Sequence, residues 1–228
     1  MKKLIFIMAG LIIMSCISAQ SLDEIVKKYT AASKLDNVAN VKTIKITATM
    51  SVMGMDLPMT LWMKNPNKMK SVTSVNGQDM IQVFDGTKGY SVNPMTGSTD
   101  PVEMTPDQVK QTLRTNMFQN YLAEALKKGQ LSLEGEENVN DKPAFKLKYD
   151  ADGIVNYIDI DKSSYYVVKT STTNAGVAID SYPTDYTETN GVVIPMKTST
   201  SAQGMDMVMT FTKVEIDTPI EDSIFTVK

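Results

Sequence analysis

The sequence predicts a mainly β protein of the α+β class. The expected architecture is a strongly curved antiparallel sheet, or incomplete barrel, of about eleven strands, with three helices forming a lid or plug. Three observations carry this. From Val41 onward, apolar residues recur at every second position in one stretch after another. Turn signals such as Asn76-Gly77, Asp85-Gly86, Asp152-Gly153 and Asn190-Gly191 separate those stretches. Helical spacing of apolar residues is confined to a few short segments. Antiparallel strands in such number favour a curled sheet with helices inside it or across its mouth.

The first twenty residues stand apart. Lys2 and Lys3 precede an apolar run from Leu4 to Ser15, the pattern of a secretory signal and too short to cross a bilayer comfortably. Two processing routes fit. Ile13-Met14-Ser15-Cys16 resembles a lipobox, in which Cys16 becomes the lipidated N-terminus of an outer-membrane-anchored protein. Cleavage near Ala19-Gln20 instead releases a periplasmic protein without Cys16. Residues 21–228 are expected to form a single domain, long enough for a sizeable core.

Ser21 and Glu24 make a capping box, and Leu22, Ile25, Val26, Tyr29 and Ala32 follow at helical spacing, predicting a helix over about 22–34. Strands are expected near 41–52, 55–64, 68–75, 79–84 and 88–93. A Gly/Ser/Pro/Asp-rich loop spans about 94–104. Thr105-Pro106-Asp107-Gln108 starts a second helix. Asn116 is expected to cap a third, with Phe118, Tyr121, Leu122, Ala125 and Leu126 as its apolar stripe. Strands then resume near 131–138, 143–150, 154–161, 165–173, 176–188, 192–201 and 205–217.

Composition excludes several function classes. There is no histidine, which removes His-based acid/base catalysis and the usual serine and cysteine triads. Cys16 is the only cysteine, so the folded body has no disulfide and no thiolate metal site. Residues 21–228 carry 21 basic and 26 acidic side chains, and Arg114 is the only arginine, so nucleic acid is not an expected partner. No metal and no cofactor is expected. Asp150-Ala151-Asp152-Gly153 reads as a hairpin turn before it reads as a calcium loop. Asp159 and Asp161 share a strand face and form at most a weak cation site. Trp62 lies opposite the apolar face of its strand. The chain is expected to be a non-enzymatic monomer.

Methionine usage points elsewhere. The stretches MSVMGMDLPMTLWM (50–63) and GMDMVMTF (204–211) hold eight methionines between them. Gly54-Met55-Asp56-Leu57-Pro58-Met59-Thr60 aligns with Gly204-Met205-Asp206-Met207-Val208-Met209-Thr210 at five of seven positions. Parity puts Met50 on the apolar face of the first strand and Met55, Leu57, Met59 and Leu61 on that of the second. It puts Met205, Met207, Met209 and Phe211 on the equivalent face of the later strand. These nine residues are the candidate ligand-binding set. Methionine is flexible and polarizable, which suits an adaptable apolar surface. The competing reading is that they are only core beneath the helices.

Several motifs resemble the outer-membrane lipoprotein-sorting family, the LolA-like carriers, over nearly all of residues 21–228. Phe84-Asp85-Gly86-Thr87-Lys88-Gly89-Tyr90 resembles the family's Asp-Gly hairpin with a following aromatic residue. Ile158 through Lys169, Tyr186 through Pro195 with Asn190-Gly191 between them, and Asp217-Thr218-Pro219-Ile220-Glu221-Asp222-Ser223-Ile224-Phe225 resemble its later strand and closing patterns. The resemblance implies a half-barrel over an apolar cavity in the periplasm or at the outer membrane. It implies shielding of lipid or lipoprotein acyl chains, with envelope membrane proteins as further partners. The alternative it leaves open is an envelope sensor or structural protein that binds a protein partner. The family's early-strand arginine has no counterpart here.

Overall fold

β1 (Thr43–Val52) lies near the middle of a thirteen-stranded antiparallel sheet, sixth in the strand order. The computed structural model describes residues 20–226 except 98, 115, 152 and 175; Cys16 and the rest of the expected leader up to residue 19 lie outside the described residues. From β1 the chain steps to one edge through β2 (Met55–Lys64), β3 (Lys68–Val75), β4 (Gln78–Phe84), β5 (Gly89–Val92) and β6 (Val102–Glu103). It crosses to the opposite edge through α2 (Pro106–Arg114) and α3 (Tyr121–Lys127). It returns through β7 (Leu131–Val139), β8 (Lys142–Ala151), β9 (Ile154–Asp161), β10 (Val167–Asn174), β11 (Val177–Thr189), β12 (Val192–Ala202) and β13 (Met205–Ile216). β13 pairs with β1, the one ladder between strands distant in sequence. The edge strands β6 and β7 do not pair, so the sheet is not closed.

β6 is the strand that sequence reasoning assigned to a loop. It is two residues long and pairs through Ser91 and Val102 and through Tyr90 and Glu103, too short for any periodicity to show. The other strands fall where the alternation places them, because each has one apolar face to bury.

α1 (Leu22–Ala32) begins as expected: the Ser21 side chain accepts the Glu24 N–H at 3.2 Å. The helix ends at Ala32 rather than 34, and a 3-10 turn over Val38–Asn40 leads into β1. α2 carries both halves of the capping box between Thr105 and Gln108, at 2.8 and 3.3 Å. α3 differs from expectation. Asn120, not Asn116, is its cap, accepting the Ala123 N–H at 3.2 Å. Asn116 instead accepts from the Phe118 N–H and donates its own Nδ2 to the Pro66 carbonyl at 2.8 Å, tying the end of α2 to the β2–β3 turn. Phe118 therefore precedes the helix and is buried elsewhere.

Two cores result. α1 and α3 place Ile25, Val26, Tyr29, Leu122 and Ala125 against Phe145, Leu147, Ile158 and Ile160 of β8 and β9. Phe118 joins Val38, Ile44, Ile46, Met63, Ile194 and Ile216 around the central strands. Both sets of strand residues lie on one face by register, so this is the inner face of the sheet.

The C-terminal segment straps the outer face. Asp217 accepts from the Lys42 N–H at 2.7 Å, Thr43 donates its hydroxyl to the Thr218 carbonyl at 2.6 Å, and Asp222 pairs with Lys64 and Lys68. Phe225 ends the strap fully buried. Tyr186 donates to the Val167 carbonyl at 2.8 Å, and Asn37 donates to the Gly191 carbonyl at 2.8 Å. The motifs that carried the family resemblance are thus positions where strands and straps are joined.

Gly89 admits the segment leading into α2. A Cβ there would lie 2.6 Å from the Met104 sulfur and 3.2 Å from the Met104 Cβ, and the Met104 N–H donates to the Gly89 carbonyl at 2.8 Å. Gly89→Ala is expected to push Met104 off β5 and loosen α2. Amide hydrogen exchange over residues 104–113 should then quicken by about tenfold or more, with α1 and α3 unchanged; equal protection in both proteins would show that Met104 does not anchor α2.

Candidate functional site

The inner face is filled at one end and open at the other. Along β1, Ile44, Ile46 and Ala48 are buried, while Met50 and Val52 are half-buried. Along β12, Val192 and Ile194 are buried, and residues from Met196 to Ala202 are mostly half-buried. The helices fill the first end. The open end contains a cavity of about 640 Å³.

Met209 on β13 and Ser91 on β5 both line that cavity. Five strand spacings separate β13 from β5 in the sheet order, about 24 Å on a flat sheet. Both strands can bound one small space only because the sheet curls, as sheets of this width do.

β1 lies between β2 and β13, so the two methionine stretches flank one strand. Met50 pairs with Leu57 on one side and with Met209 on the other. Val52 pairs with Met55 and with Met207. The aligned stretches are thus staggered by two residues, and parity is preserved.

Of the nine candidate residues, Met50, Leu57, Met59 and Met209 line the cavity. Leu61 and Phe211 pack against the central core one layer deeper. Met207 is half-buried on the inner face outside the described cavity lining. Met55 and Met205 sit at hairpin tips, 45 % and 52 % exposed, beside Met53 at 76 %. Parity alone placed them on the lining face; the curl leaves the tips beyond its rim.

The cavity also uses residues that the sequence reading missed. Met69 on β3 and Met80 on β4 line it, and extending the alternation through those strands would have found them. Met104, Gln108 and Thr112 line it from the α2 segment. Nothing local marks these three, because the route of the crossover brings them there. Val109 and Thr112 are half-buried, but Gln108, Lys110 and Leu113 are exposed, so α2 is a lightly packed cover.

Solved structures with this topology span almost the whole chain. A Vibrio parahaemolyticus domain described as outer membrane lipoprotein-sorting matches with a TM-score of 0.61 and 9 % identity, over 90 % of this chain and 97 % of that one. A LolA superfamily protein from Nitrosomonas europaea matches with a TM-score of 0.59 and 11 % identity, over 92 % and 99 %. The chain has the LolA-type fold. A DUF1329 family protein from Desulfovibrio piger shares it, with a TM-score of 0.59 and 12 % identity over 89 % and 97 %. No protein-family model matches this chain, and no curated protein matches it significantly in sequence. The likeness lies in backbone geometry.

The remaining sequence candidates lie on the outer face of the sheet or in its turns. Among the described residues no three His, Cys, Asp or Glu side chains gather to hold a metal. Asp152 lies outside the described residues, and Gly153 occupies a positive-φ turn between β8 and β9. Trp62 and the strap residues Pro219, Ile220 and Ile224 border an outer-face hollow. Asp159 and Asp161 do not act as a pair. Asp161 accepts from the Ser163 N–H and from the N–H and hydroxyl of Ser164, at 2.6–3.0 Å. Burial alone would raise its carboxyl, and these donors hold it below the ordinary value.

Asp159 is 1 % exposed, and neither carboxylate oxygen has a hydrogen-bond partner. Its register neighbours are Lys146 on β8 and Lys169 on β10, which form ion pairs with Glu137 and Asp180 instead. Burial, then the Glu137 charge, raises the Asp159 carboxyl from 3.8 to about 6, against the pull of Lys146 and Lys169. The folded state therefore holds this proton more tightly than the unfolded chain, and stability falls as pH rises through that interval. Asp159→Asn is expected to stabilise the protein by about 1–2 kcal/mol at pH 8, with the gain fading between about 6 and 4. Thermal unfolding of both proteins across that range checks it; a gain independent of pH would mean that the carboxyl is not the cause.

Proposed function

We propose that this chain is a carrier of the cell envelope that shields the apolar chain of a lipid or lipoprotein. The observation that carries the reading is a cavity walled by Met50, Leu57, Met59 and Met209 beneath a lightly packed helix. A methylene group occupies about the volume of a water molecule, roughly 30 Å³. At that size 640 Å³ holds a single chain of about twenty heavy atoms. Each methylene removed from water contributes about 0.8 kcal/mol. Methionine walls accept chains of varied shape, and displacement of α2 gives access.

The leader supports export to the periplasm, with outer-membrane anchoring if Cys16 is lipidated. The lipoprotein-sorting description of the Vibrio domain points the same way. The absence of histidine supports a non-enzymatic role. Residues 21–228 act as one unit in this reading, as a monomer. A second reading, an envelope protein that binds a protein partner, is favoured by the exposed Met53, Met55 and Met205 at adjacent hairpin tips.

Native mass spectrometry of protein purified without detergent, before and after organic extraction, tests the carrier reading. A removable mass of lipid size is expected. Met59→Asp and Met209→Asp should each abolish uptake of a fluorescent fatty acid, because a carboxylate would face the chain without a partner. Met55→Asp, at the exposed tip, should retain it. Uptake by folded Met59→Asp and Met209→Asp would show that the cavity is not the site.

A further inference from the structure

We infer that the cavity selects amphiphiles whose polar end is uncharged, such as an acylglycerol, and discriminates against fatty-acid anions and lysophospholipids. This rests on the carrier reading above and concerns the end of the ligand rather than its chain. No charged side chain occurs among the described lining residues, although charged residues make up 21 % of the sequence. At that frequency about three or four of the seventeen described lining residues would carry a charge.

The omission is specific to one face. On β1 to β4 the outward positions include Lys45, Lys64, Lys68, Lys70 and Asp79, while the inward positions of the same strands carry none. Burial does not account for this, because Gln82 is an inward residue exposed to solvent. At such a position a lysine would cost little, and it would pair with a carboxylate or phosphate.

Uncharged hydrogen-bonding groups stand there instead. Ser71, Gln82 and Ser91 form one register row across β3, β4 and β5, and all three line the cavity together with Gln108 of α2. The capping bond of Gln108 uses only its Oε1. Amides and hydroxyls both donate and accept, so this row matches esters, hydroxyls and amides. The methionine wall of β1, β2 and β13 lies on the other side of the same cavity. A chain against the methionines sets its polar end beside the row. An anionic end placed there is partly desolvated against the buried Ser71 and meets no described countercharge, which is costly.

Displacement of the neutral probe N-phenyl-1-naphthylamine at pH 8 tests this with three ligands of one chain length: monolaurin, laurate and lauroyl lysophosphatidylglycerol. Monolaurin should bind about tenfold or more tightly than either anion. Gln82→Lys should remove that preference and raise the affinity for laurate. Laurate or the lysophospholipid binding as tightly as monolaurin to the natural protein would overturn the selectivity and leave the carrier reading intact. Failure of the probe and of all three ligands to bind would overturn both.

Discussion

The pairing of β1 with β13 is the constraint on which the rest depends. Every other ladder joins strands that follow one another along the chain, so turn chemistry can set its register. The β1–β13 ladder joins Ile44 to Ile216 and Val52 to Met207, and no turn helps to align them. It unites two meanders into one curled sheet and brings two methionine stretches to either side of Met50. The closure entropy of the long intervening segment is offset only once the central core of Ile44, Ile46, Ile194 and Ile216 has formed. The strap from Asp217 to Phe225 reinforces the same junction from outside, through Lys42, Thr43, Lys64 and Lys68.

A second constraint follows from the crossover. A chain that has reached one edge of such a sheet must traverse it to begin again at the other edge. The traverse runs over the inner face, so its helices become the filling. α3, packed against the N-terminal α1, is amphipathic enough that Ile25 and Leu122 are completely buried. α2 buries far less and is held by contacts at its ends, with Met104 on Gly89 before it and Asn116 on Pro66 after it. The same topology therefore produces a rigid plug over β8 and β9 and a loose cover over β3 to β5. The open space lies where the helix is weakest.

The two faces of the sheet resolve their polar groups differently. Outside, charge is abundant and much of it is arranged in pairs, while Asp159 is buried without a hydrogen-bond partner beside its lysine neighbours. Around the cavity, the described side chains with polar atoms are serine, threonine, asparagine and glutamine beside a methionine wall. Methionine leaves that wall deformable, whereas the isoleucines one layer deeper fix the packing.

Most of the architecture was legible in the sequence because alternation and turn residues are local signals. The strands, the capped starts of α1 and α2, and the inward parity of Met50, Leu57, Met59 and Met209 needed nothing beyond spacing and side-chain chemistry. The tertiary structure decided what spacing cannot encode. It placed β2 and β13 on either side of β1, and it left Met55 and Met205 outside the rim because a curled sheet staggers its strand ends. It moved Phe118 from a helix stripe into the central core, since the chain turns there before α3 begins. It brought Met104, Gln108 and Thr112 to the cavity through the path of the crossover. Periodicity tells a residue which side of its own strand to face; only the closed packing of distant strands determines whether that side meets a core, a cavity or water.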